Sequence, residues 1–214
     1  MMKFIQNSFY LLLILGVFSC KKEVVKVDKK VTTKSNIKHA KGFDIVEENG
    51  IKKLIIKSAY QNSKNVFEYK IINHKKDSII NYEFHMDEII VPITKIVVTS
   101  TTHIPMVELL NEETSIVGFP HSKYVSSEKT RQLIDAGKIT EIGKENSLNT
   151  EILLDLQPEL VVGYSVSSAD KSLTTVKKAG INVIYNGDWL EETPLGRAEW
   201  IKFFDVLFNK EKQA

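Results

Sequence analysis

From Thr94 to Asn186 the sequence alternates between two rhythms, and that alternation limits the folds open to the chain. KIVVTS is followed by HIPMVELLN, SIVGF by SEKTRQLIDAG, KITEIG by NTEILLDLQP, ELVVGY by ADKSLTTVKKAG, and INVIYN by a segment opening at Thr193-Pro194. The first member of each pair is a short apolar run of strand length. The second places apolar residues at helical spacing and ends on a breaker: Gly137, Pro158 or Gly180. Asn149 stands where an N-cap is needed, Glu151 lies in the first turn behind it, and Thr193-Pro194 supply a cap and a proline suited to the first helical position. Five strand–helix units with short loops predict a mostly parallel sheet with helices on both faces. In such sheets ligands bind beyond the carboxyl ends of the strands. The loops to examine are therefore 100–103, 119–126, 143–147, 164–168 and 187–192.

Upstream, from Gly42 to Glu83, the pattern is β. FDIVEENGIKKLIIKSA alternates around Asn49-Gly50, a dipeptide suited to a two-residue hairpin loop because both turn positions take positive φ. VFEYKII and SIINYEF read as two further strands. A small antiparallel unit is thus expected over 42–91, ahead of an α/β lobe over 92–192.

The N-terminus is of another kind. MMKFIQNSFYLLLILGVFSC carries one positive charge, at Lys3, and an apolar run from Phe9 to Phe18. That run is too short for a membrane-spanning helix and suits a signal-peptide core over 1–19. The only cysteine, Cys20, follows directly and has no partner for a disulfide. A cysteine after a small residue at the end of such a run resembles a bacterial lipoprotein cleavage site, which implies lipidation of Cys20. The alternative is an uncleaved anchor or a buried thiol. Two acyl chains hold a protein stably on a bilayer. Residues 20–41 are rich in lysine and read as a flexible tether, with eight lysines against Glu23 and Asp28 from Lys21 to Lys41. The net charge of +2 hides this asymmetry, because the rest of the chain is mildly acidic. An acidic body argues against nucleic acid as a partner.

The loops carry no glycine-rich phosphate motif, no HExxH, no paired cysteines and no GxSxG elbow. No metal site or catalytic residue is assigned. Ser100, His103 and Asp188 are the types of a hydrolytic triad, but nothing in their spacing singles them out. The loops are instead rich in hydroxyl and aromatic groups. Ser100, Thr101, Thr102 and His103 follow the first parallel strand, where they either cap a helix or meet a ligand. Phe119, His121 and Tyr124 follow the second, and Tyr164 and Ser165 follow the fourth. Aromatic bodies with polar tips suit a flat or metal-centred ligand.

The chain closes on TPLGRAEWIKFFDVLFNKEKQA. Trp200, Ile201, Phe203, Phe204, Leu207 and Phe208 make a helix over 193–214 that is apolar on several sides. Such a helix normally has neighbours on more than one side.

Taken in order, PITKIVVTSTTHIPMVELL, IVGF, LNTEILLDLQPELVVGYSV, KKAGINVIY and ETPLGRAEWIKFF resemble the class III (cluster A) substrate-binding lipoproteins of ABC importers, which serve iron–siderophores, haem and vitamin B12. The resemblance covers Pro92 to about Ala214, with Glu159 where the family usually has aspartate. It implies a Rossmann-like lobe ending at the start of a long connecting helix that leads to a second lobe, which this sequence lacks. The apolar face of the last helix is then expected to have been made for that lobe, and the chain to be a truncated or split form. The resemblance also implies an iron chelate, haem or cobalamin as ligand, held by Ser100, Thr101, Thr102, His103, Phe119, His121, Tyr124, Tyr164 and Ser165. It implies an inner-membrane ABC permease as partner, met through Asp170, and a lipid-anchored place in the cell envelope facing the periplasm. The other readings open to the sequence are a hydrolase on a doubly wound sheet and an inactive fragment without ligand.

Overall fold

A computed structural model describes residues 35–48, 50–73, 85, 87–144, 147–167 and 170–211. The leader 1–19, Cys20, most of the tether and the expected strand SIINYEF lie outside the described residues.

The hairpin expected at Asn49-Gly50 is present. Strands β1 (Phe43–Glu48) and β2 (Ile51–Ile56) pair antiparallel, Glu48 opposite Ile51, with Gly50 at φ +80°. Strand β3 (Phe67–Asn73) adds antiparallel to β2. Strand β4 (Glu88–Val91) then pairs in parallel with β3, so the unit is antiparallel in its first three strands and mixed at its far edge. The two-residue side-chain period sets one face: Phe43, Ile45, Leu54, Ile56, Tyr69, Ile71, Ile89 and Val91 are all buried in a single cluster.

The second sheet is parallel throughout. Its strands are β5 (Ile96–Val98), β6 (Ile116–Phe119), β7 (Thr140–Glu141), β10 (Leu160–Gly163) and β11 (Val183–Tyr185), in spatial order β11-β10-β5-β6-β7. A small ribbon of β8 (Gly143–Lys144) and β9 (Ser147–Leu148) follows β7. The helices are α1 (His103–Leu109), α2 (Glu128–Asp135), α3 (Thr150–Leu156), α4 (Lys171–Lys178), α5 (Pro194–Glu199) and α6 (Ile201–Phe208). Four of their starts are fixed locally by a side-chain cap. Ser127, Asn149, Asp170 and Thr193 each accept a backbone N–H of the first turn, as the sequence reading expects at Asn149 and Thr193. Val97, Val161 and Val183 pack against Leu153 of α3 and Leu173 and Val176 of α4 on one face. Ile96, Val98, Leu160 and Val162 face the other way, into the cluster that holds the first sheet.

The last helix departs from expectation. Over its described residues it is not one rod. It breaks at Trp200 into α5 and α6 and ends on Asn209, in the left-handed region at φ 55°. Its apolar face is covered. Trp200, Phe203, Phe204 and Leu207 are 0% exposed, and Val206 and Phe208 at most 3%. Phe43 of β1 lies 4.4 Å from the Trp200 ring and 6.4 Å from that of Phe203. Phe204 faces His103 of α1 at 5.6 Å, and Ile93 N–H donates to the Leu207 carbonyl at 2.9 Å. Helix α6 is thus the filling between the two sheets, and the chain's own first sheet supplies the neighbour that a second lobe was expected to supply. Burial of each such side chain is worth about 1.5–3 kcal/mol. The unit over 42–91 and the lobe over 92–192 share this core.

Candidate functional site

All five parallel strands run the same way, so the loops after them converge on one edge. Three hydrogen bonds tie neighbouring loops together. Tyr164 N–H donates to Thr99 Oγ1 at 2.7 Å, Asn186 N–H to the Gly163 carbonyl at 2.9 Å, and His121 N–H to the Gly143 carbonyl at 2.9 Å.

The edge gathers six of the nine residues expected to meet a ligand. Ser100 is half-buried, Thr101 and Thr102 are exposed, and the Ser100 and Thr102 hydroxyls bond each other at 2.9 Å instead of capping α1. His121 takes the left-handed conformation at φ 49°, which histidine tolerates better than most residues, and its ring meets that of Tyr124 edge-on at 5.5 Å. Tyr124 is 59% exposed, with Lys123 Nζ 5.0 Å from its ring centre. Tyr164 is half-buried and makes a T-shaped contact with Trp189 at 5.6 Å.

The other three are turned inward. Phe119 is the last residue of β6 and lies in the core, 2% exposed and in the same cluster as Ile116. Ser165 is 2% exposed, and its hydroxyl donates to the Ser167 carbonyl at 2.8 Å, a local turn. His103 begins α1 and is 0% exposed against Phe204. Burial holds its pKa down to about 4, with Asp188 pulling the other way, so the ring is neutral at pH 7. Neither ring nitrogen has a hydrogen-bond partner, so the Ser100–His103 hydrogen bond that a triad requires is not made. Asp170 is the N-cap of α4 and accepts Leu173 N–H at 3.0 Å, so capping alone accounts for an acid there.

Two features of the edge carried no signal in the sequence. Trp189, in a 3-10 turn after β11, makes the aromatic pair with Tyr164. Glu141, the last residue of β7, accepts from His121 N–H at 2.7 Å and from Ser122 N–H at 2.8 Å, and so fixes the loop that presents Tyr124. Partial burial pushes the Glu141 carboxyl up, and the bonds from Ser122 and His121 outweigh it and hold it below its usual range. Farther along, Glu191 accepts from the backbone N–H groups of Lys41 and Gly42 at 2.8 and 2.7 Å, and from Trp200 Nε1 at 3.2 Å. Glu199 accepts from the N–H groups of Lys38 at 2.9 Å and Ala40 at 2.9 Å, and from Lys202 Nζ at 2.9 Å. The end of the expected tether is therefore strapped onto α5 and α6. Among the described residues no group of three or more His, Cys, Asp or Glu is placed to hold a metal ion. Among them, too, no helix is long and apolar enough to cross a membrane.

Residues 96–186 match the family described as periplasmic binding protein. The match opens on the first residue of β5 and closes one residue past β11, so the parallel sheet with its helices carries the likeness. An uncharacterized lipoprotein of Methanocaldococcus jannaschii is 30% identical over 131 residues, covering 58% of this chain and 31% of that protein. A second uncharacterized lipoprotein of the same organism is 27% identical over 167 residues, 76% of this chain and 38% of its own length. Among solved structures, the petrobactin-binding protein YclQ of Bacillus subtilis aligns with a TM-score of 0.49 at 16% identity, covering 75% of this chain and 47% of that one. The chain spans about a third of the length of the curated relatives it matches.

Proposed function

We propose that this chain contributes one ligand-binding lobe of an ABC importer's substrate-binding lipoprotein. The observation that carries the reading is the coincidence of the periplasmic-binding-protein match with the parallel sheet, whose carboxyl edge is lined by Ser100, Thr101, Thr102, His121, Tyr124 and Tyr164. Half-exposed aromatics beside hydroxyls suit the organic periphery of a metal chelate: rings for contact, hydroxyls for orientation. The chelate class proposed is an iron–siderophore, haem or cobalamin, taken as cargo and passed to an inner-membrane permease. Trp189 joins the expected set through its contact with Tyr164. Lipidation of Cys20 would hold the lobe at the envelope, facing the periplasm. A docking role for Asp170 rests on the family resemblance alone.

Tryptophan fluorescence offers the test, since Trp189 stands at the edge and Trp200 is buried away from it. The full chain is titrated with haem, cobalamin and a ferric siderophore, alone and with a complementary second lobe. Quenching by one of them, lost in Trp189→Phe, is the expected outcome. No response to any of the three in either arrangement would overturn the reading.

A further inference from the structure

The turn that carries Trp189 is gripped at both ends by the first sheet. It runs Asp188–Leu190, between Gly187 and Glu191. At the near end Gly187 packs backbone to backbone on Ser58, where a Cβ would lie 1.9 Å from the Ser58 carbonyl oxygen. At the far end Glu191 is 5% exposed, and its Oε1 accepts from Lys41 N–H at 2.8 Å, Gly42 N–H at 2.7 Å and Trp200 Nε1 at 3.2 Å. The two grips form one joint, because the N–H groups of Lys57 and Ser58 both donate to the Gly42 carbonyl, at 2.7 and 3.0 Å. Gly42 leaves no slack in it: a Cβ there would lie 2.8 Å from Trp200 Cζ2 and 3.2 Å from Glu191 Oε1. The Glu191 main chain is held as well. Its N–H donates to the Asp188 carbonyl at 3.1 Å, and its carbonyl accepts from Arg197 Nε at 2.8 Å.

We propose that Glu191 is a positioning residue for the carboxyl edge, fixing the turn that sets Trp189 against Tyr164 and so acting through Trp189 rather than on the ligand. This rests on the reading of Trp189 as ligand-facing. The indole is half-buried, and its ring contact is with Tyr164 at 5.6 Å, whose own N–H is tied to Thr99 Oγ1 at 2.7 Å. The placement of the turn therefore decides where the ring lies. Bonds from N–H groups to a carboxylate are among the stronger ones, and side chains that lock a site's neighbours set its precision. The same oxygen holds residues 41 and 42, so the place where the expected tether joins the body also sets the edge. Glu199 is the contrast: its bonds go to residues 38–40 and Lys202, none of them in the turn.

The test uses fluorine NMR. The chain has two tryptophans, Trp189 and Trp200, so the full chain grown with 5-fluorotryptophan gives two signals, assigned with Trp189→Phe. Expected in Glu191→Ala is a displaced Trp189 signal, together with a shifted Trp200 signal because that indole loses its acceptor. Glu191→Gln keeps an oxygen for the three donors and should restore both. Glu199→Gln loosens residues 38–40 and should leave the Trp189 signal in place. If Glu191→Ala does not fold, Gly196→Ala replaces it, since a Cβ there lies 2.9 Å from Glu191 Oε2 and pushes the carboxylate aside. An unmoved Trp189 signal in whichever of these two folds overturns the proposal. So does an equal displacement in Glu199→Gln, which would mean general loosening. For a chelate that quenches the chain, Glu191→Ala should lower affinity about two- to tenfold, the worth of one aromatic contact, and Glu191→Gln should recover it. Unchanged affinity overturns the positioning role. A chain that binds none of the chelates removes the function proposed above, and the fluorine signals still decide whether Glu191 sets the turn.

Discussion

The seam between the two sheets and the carboxyl edge of the parallel sheet are both rich in aromatic residues, and they use them in opposite ways. In the seam, Phe43, Trp200, Phe203 and Phe204 pack ring against ring, tilted or edge-on, at centroid distances of 4.4 to 6.4 Å, with no solvent access. At the edge, Tyr124 and Tyr164 each touch one aromatic neighbour and keep a face toward solvent. Enclosed rings are held from all sides and carry stability. Rings held by one loop contact can change without unfolding anything, which is what a surface that must suit a particular ligand requires. If that contrast is right, substitutions should separate into those that unfold the protein and those that only change what it binds.

The largest effect is expected at the seam. Trp200→Ala removes the side chain that meets Phe43 and Phe203 and the indole donor to Glu191, and should cost about 3–5 kcal/mol in chemical denaturation. A cost below about 1 kcal/mol would break the contrast at its stronger end. Gly187→Ala comes next. A Cβ there would lie 1.9 Å from the Ser58 carbonyl oxygen, a backbone atom that cannot step aside. Overpacking of this kind costs about 1–3 kcal/mol, sometimes more. It should loosen the junction between the first sheet and the loop after β11, read as faster amide exchange around Ser58.

Two carboxylates on the last helices give a pH signature of opposite sign. Burial pushes Glu199 up, but the N–H groups of Ala40, His39 and Lys38 and the Lys202 ammonium together hold its pKa at about 2, against 4.5 for a free side chain. Its contribution is complete above pH 4.5 and is lost as pH falls toward about 2. Glu199→Gln should cost about 1–2 kcal/mol at pH 7 and speed exchange of the amides of residues 38–40. Asp205 is the reverse case. Burial, with Glu211 adding to it, raises its pKa to about 6 from 3.8, and one carboxylate oxygen has no partner. Stability should therefore fall as pH rises from 3.8 through about 6, and Asp205→Asn should flatten that slope. Denaturation midpoints between pH 3 and 8 would show both, and a slope unchanged by Asp205→Asn would remove the second assignment.

The parallel sheet was legible because its strands and caps are local: apolar runs with Asn149 and Thr193-Pro194 beside them state where elements begin. The hairpin at Gly50 is local in the same sense. What could not be read was set by contacts between distant segments. Phe119 and His103 looked like loop residues beside a ligand, yet one falls on an inward strand position and the other meets Phe204, a hundred residues away in the sequence. The greasy final helix suggests an absent cover because nothing in its own residues names the sheet of β1 to β4 as its neighbour. The Glu191 and Glu199 clamps bind backbone N–H groups, which carry no sequence signature at the receiving end. Parallel pairing of β4 is likewise decided by where the chain returns, not by the composition of EIIV.

The smallest stability effect is expected at Tyr124, and it tests the contrast most sharply. The ring is 59% exposed, and its neighbours are His121 and Lys123 of its own loop. The loop is held by Glu141 through the backbone N–H groups of His121 and Ser122, and Tyr124→Ala leaves those bonds in place. The change in unfolding free energy should therefore stay within about 0.5 kcal/mol. An aromatic contact to a bound ligand is worth about 0.5–1.5 kcal/mol, so affinity for whichever chelate quenches the chain should fall roughly two- to tenfold. Tyr124→Phe keeps the ring and should recover most of that loss. A variant that is destabilised by more than about 1 kcal/mol would mean the edge bears load as the seam does. A variant that is stable and binds as before would remove Tyr124 from the ligand's surroundings, leaving Tyr164 and Trp189 to define them.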